Sequence, residues 1–144
     1  MIIKPLYNAN NQPVTFSGLD SLADQSTVFS AVIDNTANLD LDALLSASFV
    51  TGSGTSATGT INIVVAASAD GGTTFPTDPT ACKLLGVINA NVDGSTFVLD
   101  AASIAALYGG QLPPYFLIGI INNTGTTLGA GNRVFYQRTQ TQLQ

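Results

Sequence analysis

Histidine, glutamate and tryptophan are absent from this chain, and cysteine and methionine occur once each. Without histidine there is no imidazole general base, no Ser-His-Asp triad and no histidine metal site. Without glutamate, any carboxylate pair for acid/base work must come from aspartate alone, and no aromatic platform surrounds the aspartates as a glycosidase would need. An enzyme is therefore not expected, nor is a cofactor or a catalytic residue. The lone Cys82 cannot close an intrachain disulfide, so nothing points to an oxidising compartment, and a small half-buried apolar role is expected for it. Charge is also scarce: charged residues make up 9% of the sequence, against about 25% in an average soluble protein. Nine aspartates against four lysines and arginines leave a net charge of −5, the wrong sign for displacing counterions from phosphate, so direct nucleic-acid binding is not expected. Long apolar runs are missing as well. The longest, residues 115–121, falls far below the ~20 residues that span a bilayer, and residues 1–13 hold no stretch of signal-peptide length. The expectation is a soluble chain with no membrane partner, one that stays where it is made or leaves without a cleaved signal.

What is present is ordinary in amount and uneven in kind. Of 144 residues, 45% are apolar, and Thr, Ser, Asn, Gln and Gly take the place of the missing charge. The length suits one domain. Period-two alternation and β-branched residues mark strands near 27–34, 42–50, 60–69, 83–91, 95–100, 115–122 and 133–138, separated by Gly, Asn, Asp and Pro clusters. In 42–50, Leu45, Ala47 and Phe49 form the expected core face; in 60–69, Ile61, Ile63 and Val65 do. Asp93-Gly94 signals a hairpin joining 83–91 to 95–100. Asp100 is placed to cap a helical turn over 101–108, stopped by Gly109-Gly110. The segment 51–59, TGSGTSATG, cannot pack a core and reads as a mobile or externally supported loop. The fold class expected is all-β, a single antiparallel β-sandwich of jelly-roll or Greek-key type with at most one short helix. Residues 1–13 are read as an N-terminal arm, 14–138 as the sandwich and 139–144 as a polar tail.

Few motifs carry chemistry. Ser68-Ala69-Asp70-Gly71-Gly72-Thr73-Thr74-Phe75 matches the Asp-box pattern of sialidase-like propellers with Phe75 in the aromatic place. A single copy implies a stable turn, with Ser68, Asp70, Gly72, Thr74 and Phe75 as its structural residues. Asp34, Asp40 and Asp42 surround one turn and offer oxygens of the kind Ca²⁺ takes, but their spacing is not that of an EF-hand and turns favour Asp anyway, so no metal is expected. Gly52-Ser53-Gly54 and Gly129-Ala130-Gly131 lack the Lys-Ser/Thr of a phosphate loop. Asn122-Asn123-Thr124 has the form of a glycosylation acceptor in a chain with no secretion signal. The arm carries its own apolar payload in Ile2, Ile3, Lys4, Pro5, Leu6 and Tyr7, and is either an edge strand of the sandwich or an anchor docking on another subunit. A small β domain with so few charges is poorly protected against association unless neighbours cover much of its surface.

The segments 34–44 (DNTANLDLDAL), 51–60 with its GTSATG, 67–74 (ASADGGTT) and Leu112-Pro113-Pro114 occur in an order that resembles a family of small tailed-bacteriophage virion proteins. The similarity spans about residues 27–136. It implies a structural component of the particle, with no catalytic or cofactor residues to carry over. A short, acidic, single-domain chain without coiled-coil heptads fits a capsid decoration or cement protein best. Such a protein lies on the outer capsid surface, binds the major capsid protein and other copies of itself as a homotrimer, and bridges neighbouring subunits. A neck, tail or fibre-attachment adaptor is the alternative within that class. A carbohydrate-binding module, with Tyr108 or Tyr115 stacking on a sugar, is the alternative outside it.

Overall fold

Alternation of buried apolar and half-buried side chains builds the strand over 42–50 of this protein, whose computed structural model describes residues 3–7 and 11–143. In chain order the strands are β1 (Ile3–Tyr7), β2 (Gln12–Pro13), β3 (Ser26–Phe29), β4 (Ile33–Asp34), β5 (Asp42–Val50), β6 (Thr60–Ala67), β7 (Lys83–Asn89), β8 (Thr96–Ser103), β9 (Tyr115–Asn123) and β10 (Arg133–Leu143). They form two antiparallel sheets. One has the order β1-β10-β5-β8 with β2 also on β10, and the other has the order β3-β9-β6-β7 with β4 also on β9. Four pairs nest inside one another along the chain: β1 with β10, β3 with β9, β5 with β8, and β6 with β7. The pairs β5·β10 and β6·β9 then join these into two sheets. That is the strand order of a jelly roll, so the all-β sandwich expected from the sequence is the fold.

The core fills the space between the inner faces. Ala43, Leu45, Ala47, Phe49 and Val134 from one sheet meet Ile61, Ile63, Val65, Ile88, Phe116, Ile118 and Ile120 from the other, all buried. The alternation read in 42–50 and 60–69 selects the side chains that face inward.

The local expectations meet several corrections. The strand expected over 27–34 is two, β3 and β4, because one extra residue bulges between the pairs Phe29↔Gly119 and Ile33↔Phe116. Ser30 repairs the break: its Oγ accepts the Ile118 amide at 3.0 Å while its own amide reaches the Ile118 carbonyl at 2.8 Å. No hairpin forms at Asp93-Gly94. β7 pairs with β6 and β8 with β5, so this turn crosses between sheets. The Asp93 carboxylate is instead used to hold the Thr55 amide at 2.6 Å. The helix expected over 101–108 shrinks to one 3-10 turn, Ala105–Tyr108, because residues up to Ser103 remain in β8. Asp100 does not cap it. Asp42 of β5 does, accepting the Ala105 amide at 2.9 Å and the Ser103 hydroxyl at 2.6 Å. A second 3-10 turn, Pro79–Ala81, is capped by Asp78 in a stretch read as loop.

The loop 51–59 is tied down by polar groups. The Thr51 hydroxyl donates to the Val92 carbonyl at 2.5 Å and accepts the Ser95 amide at 3.0 Å, and the Ser56 amide reaches the Thr124 carbonyl at 2.7 Å. Its support comes from loops 92–95 and 124–126 of the same chain, which the lack of apolar residues concealed.

Candidate interaction surfaces

The eight-residue turn after β6 is organised by two side chains. Ser68 Oγ donates to Asp70 Oδ1 at 2.8 Å and accepts the Gly72 amide at 2.9 Å, while Asp70 Oδ1 also accepts the Thr74 amide at 2.7 Å. Gly72 has φ +91°, and a Cβ there would lie 2.8 Å from the Tyr115 ring, so both its backbone and its space demand glycine. The Thr74 side chain and amide, followed by the Ser68 hydroxyl, hold the Asp70 carboxyl down at about 2. Phe75 is half-buried. The five residues form one hydrogen-bonded turn with no concave site beside it.

The three aspartates near the β4–β5 turn do not converge. Asp34 accepts the Thr36 amide and hydroxyl at 2.8 and 2.6 Å, which lowers its pKa. The buried Asp40 accepts the Gln140 amide nitrogen at 2.7 Å and pairs with Arg138 at 3.5 Å, while Asp42 caps the 3-10 turn described above. Asn35 closes the turn from inside: its Nδ2 donates to the Asp40 carbonyl at 3.0 Å and its Oδ1 accepts the Asp40 amide at 2.8 Å. Among the described residues no group of His, Cys or Asp is arranged to hold a metal.

The remaining candidates are occupied by structure. Tyr108 donates to the Val65 carbonyl at 3.3 Å and lies under the Lys83 ammonium, 5.4 Å from the ring centre; Tyr115 packs against Gly72. Neither ring stands free as a sugar platform. Cys82 is half-buried, its thiol raised in pKa by burial and by Asp78. Asn122 is fully buried, and all four of its hydrogen bonds are made: to the Leu22 and Thr126 carbonyls and from the Thr124 amide and hydroxyl. Nothing in its glycosylation-like spacing indicates that role, because Leu22 lies 100 residues away in sequence. Of the arm, Ile2 lies outside the described residues. The segment carrying Ile3, Lys4, Pro5, Leu6 and Tyr7 is β1, in register with residues 139–143 of β10. Arm and tail thus pair with each other, and β10 runs through the boundary drawn at residue 138.

Two surface features are not explained by internal packing. The first is the outer face of the β3-β9-β6-β7 sheet. An antiparallel sheet with one solvated face normally alternates apolar-in and polar-out, yet β3, β6 and β9 contain no charged residue. Register places Phe29, Gly119, Val64 and Leu84 in one outward row and Thr27, Ile121, Asn62 and Val87 in the next. Phe29 lies across Gly119, where a Cβ would sit 2.7 Å from both the ring and Val64. Leu84 and Val87 stay about half exposed, at 53% and 49%. The second feature is a groove of about 570 Å³ between residues 13–20 and the start of β10, lined by Pro13, Phe16, Arg133 and Phe135 among others. Neither protein-family models nor curated protein sequences yield a match to this chain.

Proposed function

We propose that this protein is a structural component of a tailed-phage particle, a decoration protein that binds the outer capsid and bridges neighbouring major capsid protein subunits. The observation that carries the reading is on the outer face of the β3-β9-β6-β7 sheet, where β3, β6 and β9 contain no charged residue and Leu84 and Val87 of β7 stay about half exposed. A face of this kind gains free energy when another protein covers it. Jelly-roll sandwiches recur in viral capsids and in lectins; against the lectin-like alternative, Tyr108 and Tyr115 both make contacts within the chain. The mechanism is mechanical. Each copy adds buried area at a junction of capsid subunits, with other copies alongside it as a homotrimer, and no bond is made or broken. The reading is tested by quantitative mass spectrometry of purified particles. A ratio near one copy per major capsid subunit is expected; a dozen or fewer copies per particle moves the protein to the neck or tail, and none removes it from the virion.

A further inference from the structure

A strand at the edge of a sheet leaves half of its backbone N–H and C=O groups without a ladder partner. Each of the two sheets here has two edges, and three of the four are interrupted. β1 and β2 share one edge and carry Pro5 and Pro13. β3 and β4 are split by their bulge, and Ser30 between them is bridged to Phe16. β7 has an extra residue at Leu85, where its register with β6 shifts between Ile63 and Val64. β8 differs over residues 95–99. Among the described residues it pairs with β5 alone, it contains neither proline nor lysine, and it keeps one register from Val50↔Thr96 to Ala47↔Leu99. Its own bulge comes only after that, at Asp100 and Ala101.

Which groups face the open edge follows from the ladder. The Thr51 amide donates to the Ser95 carbonyl at 3.0 Å, and hydrogen-bonded pairs recur at every second residue of an antiparallel ladder. Phe97 and Leu99 therefore turn their N–H and C=O groups to β5, while Thr96 and Val98 turn theirs outward. The side chains divide the same way: Phe97 and Leu99 pack against the core, Thr96 is exposed and Val98 is 68% exposed. The regular stretch 95–99 has Phe97 at its midpoint. Laid antiparallel to a copy of itself about that residue, it sets Thr96 opposite Val98 of the other copy, and Val98 opposite Thr96. Each such pair exchanges both backbone bonds, and each exposed Val98 gains a threonine as its cross-strand neighbour. Asp100, the one charge on β8, falls opposite Gly94 and not opposite its counterpart, and Asp93 beside that glycine has its carboxylate turned to the Thr55 amide. In a chain of net charge −5, this is an edge where two copies meet without carboxylates facing each other. We propose that two copies of this chain pair through β8, antiparallel and centred on Phe97, so that the β1-β10-β5-β8 sheet continues across the dimer. A two-fold contact closes at two copies, so the homotrimer on the capsid uses another surface. The β8 contact rests on the strand topology and not on the virion reading.

Sedimentation velocity over a range of concentrations, with amide hydrogen exchange followed by NMR at the two ends of that range, tests it on the native chain. Dimers are expected to form reversibly as concentration rises. The Thr96 and Val98 amides should exchange more slowly as they do, while those of Phe97 and Leu99, already bonded to β5, keep their protection. Val98→Pro removes an outward N–H and no bond to β5, a place where an edge strand tolerates proline. It is expected to weaken dimerisation about tenfold or more with far-UV circular dichroism unchanged. Val98→Asp leaves the backbone intact and sets two carboxylates about 7–8 Å apart across the axis; it is expected to weaken dimerisation more at low salt than at high, and it decides the matter should the proline variant lose its fold. A chain that stays monomeric throughout overturns the contact. So does a dimer whose Thr96 and Val98 amides exchange as in the monomer, or a folded variant that dimerises like the native chain. Dimers in solution with no copies in purified particles leave this contact standing and remove the virion reading; a monomer that still decorates capsids does the reverse.

Discussion

At the residue scale, polar side chains in this protein do the work that backbone pairing does elsewhere. Asp70 replaces a ladder at the end of β6, and its low pKa of about 2 follows from donors that favour the charged form. A depressed carboxyl pKa stabilises the fold above the unfolded value of about 3.9, and that contribution is lost as pH falls toward about 2. Carboxyl NMR titration should place the Asp70 midpoint near 2, and Ser68→Ala, by removing one donor, should move it upward; an unchanged midpoint in that variant breaks the account. Asn122 is the buried counterpart. Replacing it with leucine keeps the volume but removes four hydrogen bonds and takes the acceptor from the Thr124 amide, while the Leu22 carbonyl keeps the Leu128 amide and the Thr124 hydroxyl keeps the Thr126 carbonyl. Urea unfolding of Asn122→Leu should show a loss of about 2–4 kcal/mol, and a loss below the spread of replicate measurements would mean that water satisfies these groups.

At the scale of elements, the sequence was legible where burial has a period and opaque where partners are distant. β5 and β6 announce themselves because Leu45, Ala47 and Phe49, and Ile61, Ile63 and Val65, recur at every second position and all face the core. The false hairpin at Asp93-Gly94 shows the limit of local signals: the turn chemistry is real, since Gly94 has φ +56°, but turn chemistry does not say which sheet the next strand joins. The helix over 101–108 failed for a related reason. Its alanines favour helix locally, whereas pairing of β8 with β5 holds residues up to Ser103 extended and leaves one 3-10 turn for Asp42 to cap. Pairing of β1 with the end of β10 brings the two ends of the chain together, and no turn or period could reveal that. The candidate surfaces divide the same way. The Asp-box-like turn was readable as a local string, while the outer apolar face exists only once four strands are assembled, and the groove beside Arg133 only once residues 13–20 lie along the start of β10.

For the whole molecule, the nested order of strands gives two separate faces. The outer face of the β3-β9-β6-β7 sheet and that of the β1-β10-β5-β8 sheet point away from each other across the core, so one copy can meet a capsid with one face and leave the other uncovered. A ligand that binds only the assembled lattice raises lattice stability by RT ln(1 + [L]/Kd), which is about 2.7 kcal/mol at a hundredfold excess over Kd. Bare capsids titrated with this protein should therefore melt at temperatures that rise with the logarithm of its free concentration, until all sites are filled. The double variant Leu84→Asp/Val87→Asp places two carboxylates on the half-exposed part of the face and should abolish the shift, because burying unpaired charge costs more than the apolar contact returns. If Leu84→Asp/Val87→Asp left the capsid shift intact, the outer face would not be the capsid-binding surface.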